Sequence, residues 1–151
     1  MKKMNSVVHF ELPADDQKKL ADFYSRAFGW DTKFYGEDMG NYVTVATTET
    51  DQDGMVKRPG AINGGIYPRN QVQESRPNCP SLVIAVDDIH EHIKIVNDAG
   101  GTVLGEPTDI PGVGAFVSFR DPSGNVCSIL QPVMPRGEKQ EVQEFGLTGE
   151  I

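Results

Sequence analysis

His9 and Glu11 stand two residues apart in VVHFELP, where alternating apolar residues mark a strand, so both side chains leave the same face. An imidazole beside a carboxylate has two chemical uses. It can act as a general base, the carboxylate raising the imidazole pKa, or it can give two of the ligands of a divalent ion. The second use needs at least one more donor. The other histidines, His90 and His92, fall in a helix-patterned stretch and are expected on its flank. The plainer reading of His9 is a neutral imidazole hydrogen-bonded within a polar cleft, and that reading is preferred here to a metal ligand. No Ser-His-Asp order, P-loop, dinucleotide fingerprint or CxxC pair competes with it.

Residues 7–12 form the strand that positions this pair, with Val8, Phe10 and Leu12 turned to a core and Val7, His9 and Glu11 turned away. Pro13 ends it. Asp15 or Asp16 caps a helix on which Leu20, Phe23, Tyr24, Ala27 and Phe28 recur at helical spacing, and Gly29 stops it. The aromatic stripe Phe23, Tyr24, Phe28 is expected in the core. Residues 30–35, 41–47 and 61–67 read as three further strands, giving βαβββ.

The same order then recurs at a constant offset of 72 positions (9 to 81, 15 to 87, 16 to 88, 29 to 101). Residues 81–86 are expected as a strand, 88–99 as a helix ended by Gly100 and Gly101, and 103–104, 115–119 and 125–130 as strands, with RDPSGN making a tight reversal. The fold class is therefore α+β, two βαβββ modules enclosing a cleft. One domain of residues 1–134 holds a first module at 6–68 and a second at 80–133, joined by a Pro-rich polar linker and followed by an acidic tail at 135–151.

With 14 basic and 22 acidic residues in 151, the net charge of −8 disfavours nucleic acid and anionic membranes as partners. Cys79 and Cys127 are the only cysteines and form no motif, which suits reduced thiols in the cytoplasm. No secretory or membrane-spanning segment is expected.

Three pieces of the sequence carry a resemblance: the opening strand with His9 followed by FY and FGW, the VDDI and AGG run, and GVGAFVSFRDPSGNVCSILQP. In this order they resemble the vicinal oxygen chelate superfamily, the glyoxalase, bleomycin-resistance and extradiol-dioxygenase group, over roughly residues 6 to 133. The FGW and INGG details look closest to a glyoxalase-like subgroup. The resemblance implies the paired-module fold and a homodimer. In its metal enzymes it implies one divalent ion held by a side chain from the first and last strand of each module. Carried over by position, those places are His9, Ser81, Ser128 and one of Asn63, Gly64 or Gly65. Only His9 is a strong ligand, with Glu11 as a further candidate, so no cofactor is expected.

Without a metal, the cleft floor is expected from His9, Glu11, Ser81, Val83 and Ser128, with Tyr42, Tyr67 and Arg69 near its rim. Tyr42 and Tyr67 are equally compatible with core packing, and Arg69 and Arg120 with surface ion pairs. The function expected is binding of a neutral or cationic small organic molecule. The alternatives are a metal-dependent lyase, isomerase or dioxygenase, and a protein-interaction module.

Overall fold

A computed structural model describes residues 3–69 and 77–133. The linker and tail expectations fall largely outside these residues. The elements are β1 (Val7–Ala14), α1 (Gln17–Phe28), β2 (Asp31–Phe34), β3 (Val43–Ala46), β4 (Asn63–Pro68), β5 (Ser81–Ala85), α2 (Ile89–Asp98), β6 (Thr102–Ile110), β7 (Gly114–Arg120) and β8 (Val126–Pro132).

The duplication is visible in the helix starts. Asp16 caps α1 at φ −138° and ψ 105°, and Asp88, 72 positions on, caps α2 at φ −139° and ψ 107°. Each carboxylate accepts from free amides of the first turn: Asp16 from Lys19, Asp88 from His90 and Glu91. Gly29 ends α1 in the left-handed conformation at φ 75°.

All eight strands form one sheet in the order β2-β3-β4-β1-β5-β8-β7-β6. Each module runs inward to its first strand, and the two first strands pair antiparallel at the centre, His9 opposite Val83 and Glu11 opposite Ser81. Within each module the first strand lies parallel to the last: Glu11 opposite Gly65, and Val83 opposite Ser128.

Both helices cover one face. Under α1 lie Ala14, Ala21, Val43, Val45 and Ile66, with Phe10, Leu12, Leu20 and Trp30 against them. Under α2 lie Val86, Ile89, Val117 and Ile129, with Ile84, Ile93, Val103 and Phe119. The opposite face carries His9 and Glu11, and all four buried polar residues, Glu11, Ser81, Ser118 and Ser128, are on it by register.

Three expectations are corrected. The strand does not end at Pro13 but continues to Ala14. The aromatic stripe is not core: Phe23 and Phe28 are 54% and 63% exposed, and the residue pressed to the sheet is Ala21 at 0%. A small side chain lets the helix sit close, and the rings splay outward, Phe23 edge-on to Tyr24 and Tyr24 stacked on Trp30 at 4.7 Å. The third correction is β6, which is nine residues long instead of two. Its pairing with β7 jumps from Leu104–Ser118 to Thr108–Phe116, four residues against two, so a bulge at Gly105 (φ 91°) and Pro107 sits inside the strand. β6 is a sheet edge, where a proline's missing N–H is tolerated.

The RDPSGN reversal forms as expected. The Asp121 carboxylate accepts from Ser123 N at 2.8 Å, Asn125 N at 2.9 Å and Asn125 Nδ2 at 2.8 Å, and these bonds, the Asn125 amide foremost, hold its pKa below the usual carboxylate value.

Candidate functional site

Register arranges the helix-free face into two rows across the sheet. One row runs Asn63, His9, Val83, Ser128, Ser118 and Leu104. The next runs Lys33, Thr44, Gly65, Glu11 and Ser81. His9, Glu11, Ser81, Val83 and Ser128 thus share one continuous patch that spans both modules. The hydroxyls of Ser118 and Ser128 are hydrogen-bonded to each other at 3.1 Å, which satisfies two buried polar groups at once.

Tyr42 joins this patch from just before β3. Its backbone carbonyl accepts from Tyr35 N at 3.0 Å, extending the β2–β3 ladder by a residue, and its side chain crosses β4 at Gly65. There its hydroxyl donates to Glu11 Oε2 at 2.9 Å and lies 3.0 Å from His9 Nε2. Sequence reasoning placed Tyr42 at the rim; its hydroxyl instead stands between the two chemical groups that open the chain. Gly65 was the available signal, because a side chain there would collide with the tyrosine.

Electrostatically the pair departs from expectation. Burial lowers the His9 imidazole pKa, and the attraction of the Glu11 carboxylate opposes this without overcoming it. Glu11 is 6% exposed, so its charge is held in place by the hydrogen bond from Tyr42 rather than by water.

The four places where a divalent ion would be held in this architecture follow from the pairing. Offset 72 takes His9 to Ser81 and Glu11 to Val83; Glu11 faces Gly65 and Val83 faces Ser128, so Gly65 and Ser128 are equivalent. The uncertain fourth place is therefore Gly65. The set is one imidazole, two serine hydroxyls and a residue with no side chain. The Tyr42 hydroxyl also fills the space above Gly65, where a β-carbon would lie 1.8 Å from it. Among the described residues no three of His, Cys, Asp and Glu are grouped to hold a metal ion. These residues do not fit a divalent metal centre.

Tyr67 and Arg69 point their polar ends elsewhere. Tyr67 is fully buried on the same face, and its hydroxyl donates to the carbonyl of Pro77. Arg69 donates to Asp15 Oδ1 at 2.7 Å and to Asn78 Oδ1. Together they tie the end of β4 to the start of the second module. His90 and His92 lie on α2, across the sheet from His9. A surface hollow of about 540 Å³ lies along the outside of α1 between Lys19, Asp22, Phe23 and Arg26, also across the sheet from His9.

Comparison with known proteins gives a consistent family picture. Residues 6–129 match the model of the Glyoxalase/Bleomycin resistance protein/Dioxygenase superfamily. A glyoxylase-like domain-containing protein of Didymella fabae is 31% identical over 120 residues, covering 79% of this chain and 88% of that protein. The anthracycline biosynthesis protein DnrV of Streptomyces peucetius is 28% identical, covering 94% of this chain but 51% of its own length. The chain thus spans about half the length of that relative and of its counterpart DauV from a Streptomyces strain. Among solved structures, a hypothetical protein of Bacillus halodurans superposes with a TM-score of 0.63 at 14% identity, over 90% of this chain and all of that one. A variant of Streptomyces coelicolor methylmalonyl-CoA epimerase does so with 0.62 at 16%, over 87% and 100%. At these identities the structural likeness speaks for the fold.

Proposed function

Because the chain belongs to the glyoxalase/bleomycin resistance protein/dioxygenase superfamily, we propose that its helix-free face binds a small organic molecule without a metal ion. The observation that carries this reading is the hydroxyl of Tyr42 above Gly65, bonded to Glu11 and facing His9. A protein-side hydrogen-bonded group stands where the fourth ligand would project. Around it, Val83, Leu130 and Phe116 give apolar wall and the serines give hydroxyls, a mixture suited to holding an organic ligand.

The same reading places the chain in a reducing compartment, the cytoplasm, on the strength of two free thiols, Cys79 exposed and Cys127 partly buried. Exposed Phe23 and Phe28 on α1 support pairing as a homodimer.

The test is a thermal-shift screen of small molecules, anthracyclines among them because of the names of two relatives. A molecule that raises the melting temperature of the wild type but not of Glu11→Gln or Tyr42→Phe, and still raises that of His90→Ala, supports the reading. Silence across a broad library contradicts it and favours an interaction module.

A further inference from the structure

The hydrogen bonds around Tyr42 have only one consistent direction. A carboxylate can only accept, so the single proton of the Tyr42 hydroxyl goes to Glu11 Oε2. In the 3.0 Å contact with His9 the phenol oxygen must then be the acceptor, and Nε2 must carry the hydrogen. A neutral imidazole has one N–H. Its Nδ1 is therefore a bare lone pair, and the lowered His9 pKa agrees with a neutral ring.

Nothing among the described residues hydrogen-bonds Nδ1. The neighbours of His9 in its row are Val83, which has no polar side-chain atom, and Asn63, whose Oδ1 already accepts from Thr47 N at 2.9 Å. His9 is only partly buried, so a molecule in the cleft can reach it.

We infer that the ligand is a hydrogen-bond donor, a hydroxyl, phenol or ammonium group received by His9 Nδ1, and that anionic molecules are rejected from this site. The inference rests on the metal-free cleft proposed above and adds the ligand's chemical class. The charge pattern supports it. On the strands of this face the described cationic side chains are Lys33 on β2 and Arg120 on β7, each three strands, about 14 Å, from β1, whereas the Glu11 carboxylate is beside His9. Lys33 is drawn over the Tyr35 ring, 5.3 Å from its centre. A carboxylate or phosphate at Nδ1 would meet a lone pair with a buried negative charge behind it and no nearby cation.

The experiment is long-range ¹H–¹⁵N NMR of the full chain, with phenol, benzylamine and benzoate as matched probes. The expected result is a His9 ring protonated at Nε2 and bare at Nδ1. Phenol and benzylamine should shift the Nδ1 resonance saturably while benzoate binds about tenfold or more weakly. Tyr42→Phe should release the tautomer, and Glu11→Gln should weaken benzylamine relative to benzoate. A ring protonated at Nδ1, benzoate binding as tightly as phenol, or no probe moving the His9 signals overturns the inference. If the thermal screen meanwhile finds an anionic ligand lost in the cleft variants, the donor class alone fails and the binding cleft stands.

Discussion

The Tyr42 hydroxyl stands 1.8 Å from where a β-carbon on Gly65 would be, so glycine at 65 and tyrosine at 42 are one structural decision. A close approach of this kind cannot be relieved locally, because the phenol ring carbons also lie within 2.4 Å of that point. Gly65→Ala should destabilise the chain by about 1–3 kcal/mol, through overpacking and loss of the bond to Glu11. In a Tyr42→Ala background the same change should cost much less. A double-mutant cycle by urea denaturation reads the coupling; additive effects would contradict the contact.

His9 should set part of the pH dependence of stability. Its folded pKa lies below the ordinary 6.5, with Glu11 opposing the downward pull, while Asn63, Val83 and Ser81 beside it do not titrate. Between the folded value and 6.5 the unfolded chain binds the extra proton, so the free energy of unfolding rises with pH across that window and levels off above it. Acidification loses stability. His9→Gln should flatten this component, and Glu11→Gln should steepen it by removing the attraction that favours the imidazolium. Denaturation curves from about pH 5 to 8 check both signs.

The two aspartate caps should behave as equivalent, independent units. Asp16→Ala and Asp88→Ala should each cost about 1 kcal/mol, and the double variant about the sum, since each serves its own helix. Thermal or chemical denaturation of the four proteins decides it.

If the pairing assigns the four ligand places correctly, metal binding can be installed. Ser81→His with Ser128→Glu adds an imidazole and a carboxylate to His9 across adjacent strands. Calorimetric titration with Zn²⁺ should show a site absent from the wild type and lost again on adding His9→Ala. No gain would mean that these positions do not converge.

The duplicated fold was legible because strand alternation, aspartate caps and glycine stops are local signals, and an offset of 72 repeats them in register. The shared face of His9, Glu11, Ser81, Val83 and Ser128 was legible for the same reason: alternation fixes a face before pairing is known. What sequence could not supply was register between distant strands, which alone distinguishes Gly65 from Asn63 and Gly64. Tyr42 lies 31 positions from Glu11, and nothing local announces that its hydroxyl reaches back. The outward aromatics of α1 escaped because helical spacing gives a stripe without saying which edge of it Ala21 pulls to the sheet.

The central claim is that a hydrogen-bonded tyrosine, rather than a cation, organises this cleft. Elemental analysis of protein purified without chelator from metal-supplemented cells tests it most directly. The account predicts substoichiometric metal that is unchanged by His9→Ala; one equivalent of zinc, nickel, iron or manganese that disappears in His9→Ala would contradict it.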